Sequence, residues 1–237
     1  MILVSLLAAL VPAFLLLRYF IKKDKYPEPT RLLVNTFVLG CLIVIPVVLM
    51  ALPLMGFVES QSDPFTRSIL QAFALAAIPE EAMKFWVVWF YCARKSDFDE
   101  PMDGFVYGAT ASLGFAALEN VLYVMTGGLE VAVARALTAV PAHAFFGAIM
   151  GYYVSQAIFG KGGRAKNAFL ALFVPILLHG LYDTPPMLLD ALQNDEAALA
   201  QFAVPCVVMF FTILIGMWIW VKRLLRNAVE EQEMLGA

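Results

Sequence analysis

Residues 72–91, AFALAAIPEEAMKFWVVWFY, place two glutamates and a lysine in the middle of an otherwise apolar run. About 20 apolar residues are enough for a helix to cross a hydrocarbon core of about 30 Å, so the run has the length of a membrane span. Its charges, Glu80, Glu81 and Lys84, are costly there, at about 2.5–3.5 kcal/mol each on insertion scales. Ionisable groups kept at that cost mark a functional site. Lys84 follows Glu80 by four residues and so shares its helix face. Pro79, just before the glutamates, weakens the local backbone hydrogen bonds and tends to kink the helix.

The rest of the chain has the same character. Its 237 residues are 62% hydrophobic and 15% charged, with a mean hydropathy of +0.79. A soluble domain is about 45–50% apolar and about 25% charged. A globule of this length has too little interior to bury such a surplus. Soluble and disordered classes are thereby excluded. The net charge of −3 offers no basic surface to a phosphate backbone, which excludes nucleic-acid binding. Cys41, Cys92 and Cys206 stand apart from one another without a CxxC pair, so neither a disulfide framework nor a zinc knuckle is supported.

Seven runs reach spanning length, at about 2–21, 32–57, 68–92, 104–126, 136–159, 167–189 and 200–221. The links between them are short and charged or turn-rich, with no internal repeat. The expected fold is an all-α polytopic helical bundle forming one transmembrane domain over 1–237. The helices that carry its buried charges lie at about 68–190, and residues 223–237 form a cytoplasmic tail read as a solvated helix end or disordered. Twelve of the sixteen Lys and Arg residues fall after segments 1, 3 and 5 or in the C-terminal tail. Positive loops stay cytoplasmic, which predicts the N-terminus outside and the C-terminus inside. The first run lacks a basic leader before its apolar stretch, so it reads as an anchor and not a cleaved signal.

Segments 3 to 6 carry Glu80, Glu81, Lys84, Glu119, His143, His179 and Asp183, while segments 1, 2 and 7 carry no ionisable group in their interiors. At 1.5 Å per residue, Glu80 lies roughly 18 Å from the outer end of its helix, Glu119 and His143 roughly 10 Å, and His179 roughly 15 Å. The four helices can thus bring these groups together in the outer half of the bilayer. His179 and Asp183 are four apart, so the carboxylate can orient the imidazole. Gly147 and Gly151 after His143, and Gly104 and Gly108 on segment 4, form small-residue stripes that allow close helix approach. Asp103, Arg135 and Trp86 read as interfacial.

Carboxylates beside imidazoles in a dry site suit general acid–base chemistry on water. Alternatively, Glu119, His143 and His179 could hold a zinc ion with an open position for water, leaving Glu80 or Glu81 as base. Acidic and histidine chains also build proton relays, so a proton- or cation-coupled transporter is the alternative class.

PEEAMK, FAALEN (Phe115–Asn120), HAFFG (His143–Gly147) and HGLYD (His179–Asp183) fall in order on four successive helices. This pattern resembles the PrsW family of intramembrane proteases, with its EExxK, FxxxE, HxxxG and HxxxD motifs, over about residues 68–190. That family sits in a wider group with type II CAAX prenyl endopeptidases and the membrane scaffold subunit of γ-secretase. The resemblance implies an endopeptidase cutting membrane-anchored proteins, anti-sigma factors for example, near the extracytoplasmic side of a bacterial inner membrane. It carries Glu80, Glu81, Lys84, Glu119, His143, His179 and Asp183 over as catalytic elements. A non-catalytic scaffold seating a partner is the remaining alternative. The prenyl endopeptidases usually have histidine where this chain has Glu119, and are argued to work through glutamate-activated water without a metal, so their mechanism does not transfer unmodified.

Overall fold

The computed structural model describes residues 2–160 and 162–235, and these form an all-helical bundle. In chain order the helices are α1 (Ile2–Ile21), α2 (Thr30–Leu42), α3 (Val44–Glu59), α4 (Pro64–Leu70), α5 (Ile78–Trp86), α6 (Pro101–Leu137), α7 (Ala139–Ile158), α8 (Arg164–Ala191) and α9 (Glu196–Leu235). Among the described residues, Thr30–Glu59, Pro101–Leu137, Arg164–Ala191 and Glu196–Met234 are long and apolar enough to cross a membrane, and α1 adds a shorter apolar stretch, Leu6–Ile21.

Several boundaries differ from the expected runs, each for a local reason. The run at 32–57 is interrupted at Ile43, between α2 and α3. Pro46 has no N–H to give the Leu42 carbonyl and its ring crowds that carbonyl, which loosens the helix at this point. The run at 68–92 is not uniformly α-helical. Two π-helical stretches, Gln71–Ala77 and Val87–Tyr91, flank α5. Ile78 donates to Phe73 O, five residues back, immediately before Pro79, so the wider turn takes up the register change that the proline imposes. Helix α6 runs well past 126 and bends at Gly128, where φ is 69°. A side chain is strained in that region and glycine is not. The last helix continues through the expected tail, and Gln232 is fully buried. Residues 223–235 are therefore helical, with one face packed as far as Gln232, and residues 236–237 of the expected tail lie outside the described residues.

The centre of the bundle is the α6–α7 contact. A Cβ at Gly151 would overlap the carbonyl oxygen of Gly104, and one at Gly108 would overlap that of Gly147. The two glycine stripes therefore bring backbone against backbone, as their spacing predicts. Helix α2 closes on the opposite side of α6, with Gly114 against the Phe37 backbone and the Cys41 thiol donating to Gly114 O at 3.1 Å. Almost every residue from Pro101 to Ala117 is buried between these neighbours. The loops after α1, before α6 and after α7 gather at one end of the bundle with the C-terminal part of α9. There Gln232 bonds Asp24 and Glu100, and Phe98 stacks on Phe159. This is the loop grouping that the Lys/Arg distribution predicts.

Candidate functional site

Four helices deliver the polar residues to one place. On α5, positions 80, 81 and 84 project from one face into the bundle, and Glu81 and Lys84 are completely buried. The flanking π turns are rare in proteins and concentrate at functional sites. The Lys84 ammonium donates to Glu80 Oε2 at 3.0 Å and Glu81 Oε1 at 2.8 Å, and faces His143 Nδ1 at 3.1 Å. Its underside rests on the Phe115 ring, 4.3 Å from the centroid. One cation thus ties α5 to α7 and packs on α6.

His179, from α8, sits between carboxylates. Its Nδ1 meets Glu81 Oε1 at 2.8 Å, while Nε2 meets Asp183 Oδ2 at 3.0 Å and lies 3.9 Å from Glu80 Oε2. Phe146 stacks on the ring at 4.7 Å, and His143 approaches it edge-on at 5.4 Å. The orientation of this imidazole is therefore fixed by a stacked ring, an edge contact and both nitrogens. His143 uses Nε2 on Glu119 Oε2 at 3.0 Å, and its backbone carbonyl accepts from Ser112 Oγ at 2.6 Å. Beside these groups lies a cavity of about 250 Å³, lined by Glu80, Glu119, Arg135, His143, His179 and Asp183 together with apolar side chains such as Phe210.

The seven residues singled out in the sequence converge here. Arg135, read there as interfacial, belongs to the site as well. Its Nη2 donates to Glu119 Oε2 at 2.6 Å and its Nε to Asn120 Oδ1 at 2.7 Å. The bend at Gly128 turns the end of α6 back over its own middle and so carries Arg135 to Glu119. The Gly127–Gly128 pair is the signal in the sequence that could have suggested this return.

Among the described residues, Glu80, Glu81 and His179 are three ligating side chains whose donor atoms lie within 4.8 Å of one another. The expected trio of Glu119, His143 and His179 is not gathered in this way. Arg135 holds Glu119, and His143 is taken up by Glu119 on one nitrogen and faced by Lys84 on the other. Two observations fit a cation at Glu80, Glu81 and His179. Glu81 Oε2 is buried with no hydrogen-bond partner, although buried polar groups are nearly always paired. Among the described residues, four carboxylates, Glu80, Glu81, Glu119 and Asp183, also face only two side chains of fixed positive charge, Lys84 and Arg135.

A helical membrane bundle that buries paired glutamates, a lysine and two oriented imidazoles around one cavity has the groups that an intramembrane hydrolase needs. Residues 28–227 match the model of the PrsW family, described as intramembrane metalloproteases, and the chain belongs to that family. It is 41% identical over 179 residues to the Protease PrsW of Geobacillus kaustophilus, covering 74% of this chain and 76% of that one. It is 39% identical over 189 residues to the Protease PrsW of Bacillus subtilis, covering 79% and 83%. The Protease PrsW of Oceanobacillus iheyensis is 39% identical over 176 residues, covering 74% and 80%. No solved structure matches the chain. The chain is a multi-pass membrane protein and an intramembrane protease of the PrsW type, and the transporter and scaffold alternatives lapse.

Proposed function

We propose that this protease hydrolyses peptide bonds of membrane-anchored proteins in the cavity beside Glu80, with water as the nucleophile and Glu80 as its base. The observation that carries this reading is the difference between the two adjacent glutamates. Glu80 lines the cavity and retains 8% side-chain exposure, whereas Glu81 has none and is enclosed by Lys84 and His179. A base must reach the proton it removes, and of the pair only Glu80 borders space for a substrate. Glu119 also borders the cavity, but Arg135 and His143 hold its Oε2.

In this scheme Glu80 takes a proton from water as the oxygen bonds to the scissile carbonyl carbon. The same proton passes to the leaving amine as the C–N bond breaks. Lys84 fixes the Glu80 carboxylate, and Glu81 and Asp183 hold the His179 ring against the cavity. The Arg135 guanidinium on the far wall offers donors to the carbonyl oxygen as it gains charge, a contribution that is often the largest in such reactions. Glu81 and His179 would hold a metal beside the Glu80 base, with Asp183 orienting the imidazole; zinc suits this N/O donor set and would supply Lewis-acid polarisation and a more acidic water.

The Lys/Arg distribution supports an orientation with the cavity in the outer half of a bacterial inner membrane, so the substrate is cut near the extracytoplasmic face. Reconstitution in vesicles with a single-span fluorescent substrate tests the proposal, with the cut mapped by mass spectrometry. Cleavage near the outer membrane boundary, abolished by His179→Ala, is expected. Cleavage by His179→Ala at the wild-type rate would overturn the assignment.

A further inference from the structure

A second cluster of acids lies at the other end of α6, sixteen residues or roughly 24 Å along the helix from Glu119. Asp24 and Glu28 come from the loop after α1, Glu100 caps α6, and Asp103 lies in its first turn. All four are at least nine-tenths buried, and Asp103 is completely so. Among the described residues no lysine, arginine or histidine forms an ion pair with any of them, in contrast to the candidate active site.

The partners that do exist are neutral. Gln232, from the far end of α9, donates its amide to Asp24 Oδ1 at 2.8 Å and also to Glu100. The Tyr107 hydroxyl donates to Glu28. Asp103 Oδ2 accepts the backbone N–H groups of Asp99 and Glu100 at 2.7 and 2.8 Å. Two oxygens are left over. Asp24 Oδ2 and Asp103 Oδ1 are buried without any hydrogen-bond donor. The Asp103 and Glu28 carboxyls also lie within hydrogen-bonding reach of each other. Donor oxygens of Asp24, Glu100 and Asp103 lie within 4.8 Å of one another.

Buried carboxylates persist when they are paired or bind a metal. We infer that Asp24, Glu100 and Asp103 bind a hard divalent cation of the magnesium type, with Glu28 completing the acidic wall. Oxygen-only donors of high charge suit such an ion, which keeps several of its own waters and takes only a few carboxylates. The ligands belong to the α1–α2 loop and to the start of α6, and Gln232 links both to α9. The ion would therefore clamp three separate parts of the chain at the end of the bundle opposite the catalytic cavity. Its role is structural and does not depend on the reaction proposed above.

Manganese binding followed by electron paramagnetic resonance tests this, using detergent-purified full-length protein stripped by chelator. The His179→Ala variant serves as background, because it removes a ligand of the active-site trio. The expected result is one saturable Mn²⁺ per chain, displaced by Mg²⁺ and absent from His179→Ala/Asp103→Asn. Asp24→Asn is the second variant, since its amide oxygen can still accept from Gln232 and Tyr26 N–H; it should weaken binding at least tenfold. Saturating Mg²⁺ should raise the unfolding midpoint of the His179→Ala protein by several degrees. Absence of a saturable Mn²⁺, or binding unchanged by both asparagine variants, would overturn the inference and leave the acids neutralised by protons.

Discussion

Replacing Lys84 by methionine isolates one interaction on which the site depends. Methionine keeps an unbranched apolar stem and removes the ammonium, with its hydrogen bonds and its contact to Phe115. Lys84 is completely buried and its ammonium bonds Glu80 and Glu81 at 3.0 and 2.8 Å. The variant therefore leaves two neighbouring carboxylates without their shared cation. Breaking a buried ion pair from one side costs about 3–5 kcal/mol. For a chain of this size each kcal/mol moves the unfolding midpoint by about 2–4 °C, so the predicted fall is roughly 6–20 °C. Thermal unfolding of purified protein in detergent measures it, with Lys166→Met at an exposed position as control. Adding Glu81→Gln to Lys84→Met should recover part of the loss, because it removes one stranded charge. A fall of under about 2 °C, or a double variant less stable than the single one by the full cost of Glu81→Gln alone, would refute the claim that Lys84 holds the glutamates together.

Other predictions follow from the same geometry. Gly151→Val should prevent the α6–α7 approach and give a protein that does not reach its native melting transition, whereas Gly216→Val, where a Cβ meets nothing within 4 Å, should stay within about 0.5 kcal/mol of wild type. Gly128→Val places a β-branched residue at φ 69° and should cost about 1–3 kcal/mol by thermal unfolding. Because it displaces Arg135, it should also lower the cleavage rate more than its modest destabilisation explains. Arg135→Gln should slow cleavage about 10²-fold or more with the fold retained, if its guanidinium stabilises the developing charge; an unchanged rate would remove Arg135 from the mechanism. Exhaustive chelation should abolish cleavage and added zinc should restore it, whereas full activity in metal-free protein would leave glutamate-activated water to act alone.

Much of the site is legible in the sequence because charge is so scarce there. Glu80, Glu81, Lys84, Glu119, His143, His179 and Asp183 stand out in apolar runs, and helical spacing alone pairs Glu80 with Lys84 and His179 with Asp183. The glycine stripes likewise foretell the α6–α7 contact, since a small residue every fourth position has an evident packing meaning. The ligand grouping was not legible in the same way. Which three side chains converge depends on how Lys84 and Arg135 partition the carboxylates, and Arg135 reaches Glu119 only through the bend at Gly128. The acidic end cluster was hidden for a related reason. Asp24, Glu28, Glu100 and Asp103 fall in loops or at a helix start, where acids are normally solvated, and Gln232 sits in a polar tail that reads as exposed. The continuation of α9 brings Gln232 onto Asp24 and Glu100.

The proposed reaction requires that Glu80, and not Glu81, meets the water. Single-turnover cleavage of a membrane-anchored substrate by Glu80→Gln, in vesicles and with the unfolding midpoint measured on the same preparation, tests it most directly. General-base loss predicts a rate lowered by about 10²–10⁴-fold in a protein that remains folded. A Glu80→Gln enzyme that cuts within a few-fold of wild type would contradict the account.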